Sequence, residues 1–276
     1  MVDAVLTPRG PYRLRQMVRS GHWQAPLTRG RRAEAWQRPD GRVVVRASDP
    51  AGIAEARFML ALDDDTGPFH ERFADDALLG PSARALVGYR PLRLATVAQA
   101  TIRAVCGQLI EARRARALER TICRALGTDV VTREQLATRG AADLRGLGLA
   151  QQRASTLVRL VRSVDLEGLR RHPTDVVRRR LCAERGLGPW SVGVIALEGL
   201  GRYDHGLVGD LGLVKLHTAL AGRVVEGWET AALLAPYEEW QGLAGEILMR
   251  GVALGLVPGA DLDAARLARR KTRRAA

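Results

Sequence analysis

Two features of this chain could do chemistry: the run Gly186-Leu187-Gly188-Pro189-Trp190, and a single acid, Asp210, twenty residues after the tryptophan. In LCAERGLGPWSVGVIAL the pattern predicts a helix ending near Arg185, glycines at 186 and 188 free to take positive φ, and Pro189 in the first turn of a second helix. Amides freed at Gly186, Gly188 and the start of the second helix, at Trp190 and Ser191, would converge on one spot where the helix dipole also favours an anion. A phosphate fits such a spot without any sequence readout, and the same pattern also makes an ordinary helix–helix turn. Asp210 stands before LGLVKLHTAL, whose Leu211, Val214 and Leu220 suit one helix face, so it reads as an N-cap. A carboxylate there could also stabilise a developing positive charge and orient a water, and the two roles can coexist.

The charge balance suits a polyanionic partner. Lys and Arg number 43 against 30 Asp and Glu, for a net +13, and all but Lys215 and Lys271 of the basic residues are arginine. The tail ARLARRKTRRAA, within residues 263–276, reads as a basic, disordered end that adds sequence-independent attraction to phosphate. Cys106, Cys123 and Cys182 are widely spaced and form no CxxC pair, so they encode neither a zinc site nor a cysteine-ligated cluster and are expected as buried thiols. The five histidines form no ligand signature, so no metal is expected through side chains. No apolar run is long enough to span a membrane and the N-terminus has no signal-peptide pattern, which predicts a cytoplasmic protein with no membrane partner.

The elements that must position these residues fall into two parts. Up to about residue 90 the chain mixes strand and turn signals. In AEAWQRPDGRVVVRAS, Pro39-Asp40-Gly41 separates two alternating runs and predicts a hairpin. From about Thr96 the apolar spacing is helical, as in Val97, Ile102, Val105, Leu109 and Leu118, Ile122, Leu126, with breaks that set helices of roughly ten to sixteen residues in a bundle. The expected fold class is α+β, mainly α. A small β-containing N-terminal domain over 1–92 is followed by a helical domain over 93–262 and the basic tail over 263–276.

GLGPWSVGVIAL followed by GLVGDLGL resembles the helix-hairpin-helix and Gly/Pro…Asp signature of the base-excision DNA glycosylases, specifically their alkylation-repair branch, 3-methyladenine DNA glycosylase II. CGQLIEARRARALE, LRGLGLAQQRASTLVRLV and DPAGIAEARFMLALDDDTGPF are similar to other segments of that branch, and the resemblance covers about residues 40–252. It implies two helical subdomains after the N-terminal domain and a monomer acting on duplex DNA that contains damaged bases. The activity it implies is hydrolysis of the N-glycosidic bond of a flipped alkylated purine of the 3-methyladenine or 7-methylguanine type, with Asp210 as the catalytic residue.

By the same resemblance Leu109, with Gln108, is the wedge that fills the gap left by the flipped base, although Leu109 also reads as a core leucine. Trp190 is the candidate for stacking on a cationic purine, or else a ring that packs two helices together. Position 190 is where strand-cleaving relatives carry a lysine, so the enzyme is expected to be monofunctional, with water as nucleophile. Two base-pocket positions depart from the branch's pattern: Val194 replaces a tyrosine and Met249 a tryptophan, which puts the substrate range in doubt more than the reaction. Tyr203 or Trp240 could compensate. No cofactor is required, although hairpins of this kind can hold a structural metal ion through backbone carbonyls. The alternative from another class is a non-catalytic DNA-binding or damage-sensing module, which would have no need of Asp210. A mismatch glycosylase with an iron–sulfur cluster lacks its cysteines here.

Overall fold

The computed structural model describes residues 1–260, so the expected basic tail lies outside the described residues. By contacts the chain forms two compact units, Met1–Asp65 with Gly88–Arg202, and Thr66–Val87 with the chain from Tyr203 onward. This grouping differs from a division at residue 92. Periodicity changes near that point, whereas contacts assign 66–87 to the C-terminal helices.

The first unit opens with a four-stranded antiparallel sheet, β1 (Val2–Leu6), β2 (His22–Pro26), β3 (Arg32–Gln37) and β4 (Val43–Ala47), in the order β1-β4-β3-β2. β3 and β4 form the expected hairpin, with Gln37 opposite Val43 and Ala33 opposite Ala47. Its turn needs a left-handed residue, supplied by Gly41 at φ +85°, and the Asp40 carboxylate accepts from the Arg42 amide at 3.1 Å. Trp23, Ala25, Ala33, Ala35, Val43, Val45 and Ala47 are buried and form one core with Met59 and Leu60. Met59 closes the helix Pro50–Met59, which starts on Asp49, whose side chain accepts from the Gly52 amide. Arg90 is fully buried nearby, a placement whose cost carbonyl acceptors offset. Its guanidinium donates to the carbonyls of Ala61, Arg9 and Pro11 and lies over the Tyr12 ring, which fastens the N-terminal segment.

The rest of the first unit is helical, as expected after residue 96. Thr96 caps the helix Val97–Gly107 by accepting from Gln99, and Val97, Thr101, Ile102 and Val105 are buried. Helices Ala112–Ala125, Gln151–Ser163, Thr174–Cys182 and Pro189–Val194 follow, the last running on into a π turn over Ile195–Leu200. That turn approaches Val97–Gly107 so closely that a β-carbon on Gly199 would lie 2.7 Å from the Ala100 β-carbon. Arg103 ties three elements together. It bridges Glu119 at 3.1 Å and Glu198 of the π turn, while Arg116 adds a second bond to Glu119 at 3.0 Å. With Glu119 buried and its partners only partly so, such pairs fix a geometry more than they add stability.

In the second unit, helices Gly67–Arg72, Gly80–Ala85, Leu211–Ala221, Thr230–Leu234 and Gln241–Ala253 pack around aromatic rings. Phe69 meets both Phe73 and Trp240, Phe73 meets Tyr237, and Tyr203 stacks on Trp240, with ring centroids 5.2 to 5.8 Å apart. No described helix is long and apolar enough to cross a membrane. The expectation of three buried thiols is corrected at one position: Cys106 and Cys123 are buried, whereas Cys182, the last residue of its helix, is exposed. Burial pushes the Cys106 thiol up to about 12 and the Cys123 thiol to about 11, which leaves both inert as nucleophiles at neutral pH.

Candidate active site

Within the first unit the hairpin is built from glycine stereochemistry. The helix before it ends at Cys182, a turn earlier than the expected Arg185. Gly186 has φ +92°, and a β-carbon there would lie 2.3 Å from Thr156 Oγ1, so both conformation and space require glycine. Gly188 is different from the expectation. It is the N-cap at φ −92°, and a β-carbon there would meet nothing within 4 Å. Its value lies in the open approach it leaves to the amides of the next turn, which Pro189 begins.

Gly186→Ala is expected to destabilise the protein by about 1–3 kcal/mol, because alanine resists positive φ and its methyl meets Thr156. Chemical denaturation measures that loss.

Side chains from two other helices hold the hairpin's carbonyls. Thr156 Oγ1 donates to the Arg185 carbonyl at 3.2 Å, and the Arg159 guanidinium donates to the same oxygen. The Gln108 carboxamide donates to the Gly186 carbonyl at 2.8 Å and to Ser191 Oγ at 3.0 Å. Gln108 therefore faces the hairpin and fastens it to the end of Val97–Gly107, while its backbone carbonyl accepts from Arg153. Ser191 is buried with its hydroxyl engaged, so what it can offer a phosphate is its amide. The Arg185 carbonyl is likewise occupied, and an ion at the hairpin would have to draw on the other backbone oxygens. Among the described residues no three His, Cys, Asp or Glu side chains gather as a metal site.

Leu109 follows Gln108 and is 88% exposed, not a core leucine. Its φ is +54°, a left-handed conformation that a leucine adopts only under constraint. The half-buried Trp190 lies against the same segment: a β-carbon on Gly107 would sit 2.5 Å from the indole Cη2, so the ring packs the hairpin helix onto Val97–Gly107. Val194 is buried at 6% exposure.

The second unit carries the carboxylate. Asp210 is the N-cap of Leu211–Ala221, with Oδ1 accepting from Gly212 N at 2.8 Å and Leu213 N at 3.4 Å. These bonds pin a half-buried anion at the positive end of a helix. Met249, from Gln241–Ala253, lies over the same turn: a β-carbon on Gly212 would be 2.0 Å from the thioether methyl and 3.1 Å from Asp210 Oδ1. The structure thus brings Met249 beside Asp210 in this unit, as it brings Gln108, Leu109 and Trp190 beside the hairpin in the other. Tyr203 and Trp240 stack on each other, with Trp240 packed on Phe69. Lys215 is exposed on the helix that Asp210 caps.

No family model matches the sequence, and no curated protein is matched by it. Solved structures do match. A 3-methyladenine DNA glycosylase from Archaeoglobus fulgidus superposes with a TM-score of 0.74 at 17% identity, over 91% of this chain and 98% of that one. The chain has a DNA glycosylase fold. A Clostridium acetobutylicum 8-oxoguanine glycosylase/lyase, solved with double-stranded DNA containing cytosine opposite the lesion, gives a TM-score of 0.70 at 16% identity over 91% and 98% of the two chains. The 3-methyladenine DNA glycosylase of Schizosaccharomyces pombe, solved with abasic DNA, gives 0.56 at 16% over 67% and 96%. The glycosylase fold accounts for a small antiparallel sheet preceding a long helical region.

Proposed function

We propose that this chain is a monofunctional DNA glycosylase that removes alkylated purines of the 3-methyladenine or 7-methylguanine type from duplex DNA, as a monomer. The observation that carries the reading is Asp210, an acid held at a helix N-terminus by Oδ1 on a DNA glycosylase fold. Breaking an N-glycosidic bond leaves an oxocarbenium-like sugar, so a negative group beside C1′ lowers the barrier and can orient the attacking water. A cationic alkylated base is already a good leaving group, which suits a site organised around one carboxylate. The hairpin amides would grip the backbone phosphate, Leu109 would fill the vacated stack, and Met249, beside Asp210, would border the base.

No lyase step is expected, because Trp190 stands where strand-cleaving relatives carry a lysine and Lys215 stands five positions beyond Asp210 on an exposed face. The chemistry needs no cofactor. A structural ion on the remaining hairpin carbonyls would serve phosphate binding only.

The test is incubation with methylated duplex DNA and identification of the released bases. Release of 3-methyladenine or 7-methylguanine, with no strand scission at the abasic product, is the expected result. DNA retained with no base released would favour a non-catalytic DNA-binding module.

A further inference from the structure

Trp228 is the largest exposed apolar side chain among the described residues of the second unit, at 73% exposure, and the reading of Asp210 given above assigns it no work. It stands on a short 3-10 turn, Gly227–Glu229, that is fastened to the backbone leading into Asp210. The Gly209 amide donates to Thr230 Oγ1 at 2.8 Å, and that hydroxyl donates to the Gly227 carbonyl at 2.7 Å. Thr230 itself is fully buried. The two backbones touch: a β-carbon on Gly227 would lie 3.5 Å from the Gly209 Cα, and Gly209 takes φ +89° to pass. From the other side Glu229 closes the turn, accepting from the Glu226 amide at 2.6 Å and pairing with Arg223. The indole is thus presented to solvent by a turn with little freedom, packed on the residue that precedes the candidate catalytic acid.

An exposed tryptophan on a braced turn is a poor use of a large apolar ring unless something covers it. We propose that Trp228 is a nucleotide-stacking residue, whose indole takes the face of a nucleobase adjoining the sugar that Asp210 addresses. The inference rests on the glycosylase reading of Asp210. If the Asp210 carboxylate meets C1′ of one nucleotide, the Gly227–Glu229 turn, packed on Gly209, lies beside the neighbouring nucleotide of the same DNA. The net charge of +13 favours a polyanion as a partner of the chain as a whole. An aromatic face accepts any base, so Trp228 would hold the strand without choosing the lesion. Selection of the damaged base would remain with the pocket.

The probe is a duplex carrying a tetrahydrofuran abasic analogue, which offers the sugar and its neighbours but no bond to hydrolyse. Trp228→Ala should weaken binding by roughly 5-fold to 100-fold, the range for loss of one base–aromatic stack, and Trp228→Phe should stay within about 3-fold of wild type. The slope of log Kd against log salt should not change, because a stack releases no counterions. The tryptophan emission that Trp228→Phe removes should be the part that this duplex quenches. Melting temperatures should match wild type, since the ring is exposed. Wild-type affinity in Trp228→Ala overturns the proposal. So does unchanged DNA affinity combined with loss of a concentration-dependent dimer in sedimentation, which would make the surface a contact with a second copy. Binding is read without catalysis, so the two readings fail separately: a weakened Trp228→Ala alongside a wild type that releases no base keeps Trp228 on the DNA and removes only the catalytic role of Asp210.

Discussion

Asp210→Asn is expected to lower base release from methylated duplex DNA by about 10³-fold and to leave the Kd for the same duplex within about 3-fold of wild type. The magnitude comes from charge. A carboxylate about 4 Å from an oxocarbenium-like centre, at an effective dielectric near 20, stabilises it by about 4 kcal/mol, and each 1.4 kcal/mol is a factor of ten in rate. The carboxamide loses that term and little else. Its Oδ1 can still accept from Gly212 N and Leu213 N, since asparagine caps helices as well as aspartate does. No atom is added toward Met249, which already contacts Gly212. Single-turnover release and equilibrium binding, measured on the same oligonucleotide, separate the two quantities. Equal release by the variant and wild type would reduce Asp210 to a cap and return the chain to the DNA-binding reading.

The features legible in the sequence are those whose cause is local. Pro39-Asp40-Gly41 makes its hairpin because the residues that bend the chain are adjacent, and Gly41 supplies the left-handed position. Thr96 and Asp210 cap their helices through amides two or three residues away, so residue type and spacing suffice. Gly186 takes the positive φ that its hairpin needs, but the reason no other residue fits, Thr156 Oγ1, lies 30 positions earlier. Long-range partners are where sequence reading stops. The bonds from Gln108 to Gly186 and Ser191 span 78 and 83 residues, and no local pattern distinguishes a glutamine that reaches inward from one offered to DNA. Arg90 reads as one more surface charge among many, yet it is fully buried on three carbonyls. Residues 66–87 follow the sheet in sequence and pack with helices that begin near Tyr203, which periodicity cannot reveal. The position of Trp228 carries no local signal, because it is set by the contact of Gly227 with Gly209, between residues 18 positions apart.

Leu109→Ala is expected to reduce excision from fully paired duplex by roughly 10-fold to 100-fold, the equivalent of losing about 1.5–3 kcal/mol of buried leucine surface when the side chain enters the stack. In free protein that surface faces water at 88% exposure, so truncation removes no packing and should leave folding stability unchanged. The backbone makes a second variant informative. A leucine at φ +54° carries strain of about 1–2 kcal/mol that glycine would relieve, so Leu109→Gly should raise stability by up to that amount and lose as much activity as the alanine variant. The strained conformation persists because its neighbour is held on both sides, by the bonds from Gln108 to Gly186 and Ser191 and by the Arg153 guanidinium on the Gln108 carbonyl. The same lesion in a mismatch or a bulge, already partly unstacked, should be excised by both variants with a smaller deficit, because less of the stack needs filling. A Leu109→Ala protein that keeps full activity on paired duplex while losing more than about 2 kcal/mol of stability would restore the core-leucine reading, and a deficit equal on paired and bulged substrates would move the role of Leu109 from flipping to general DNA contact.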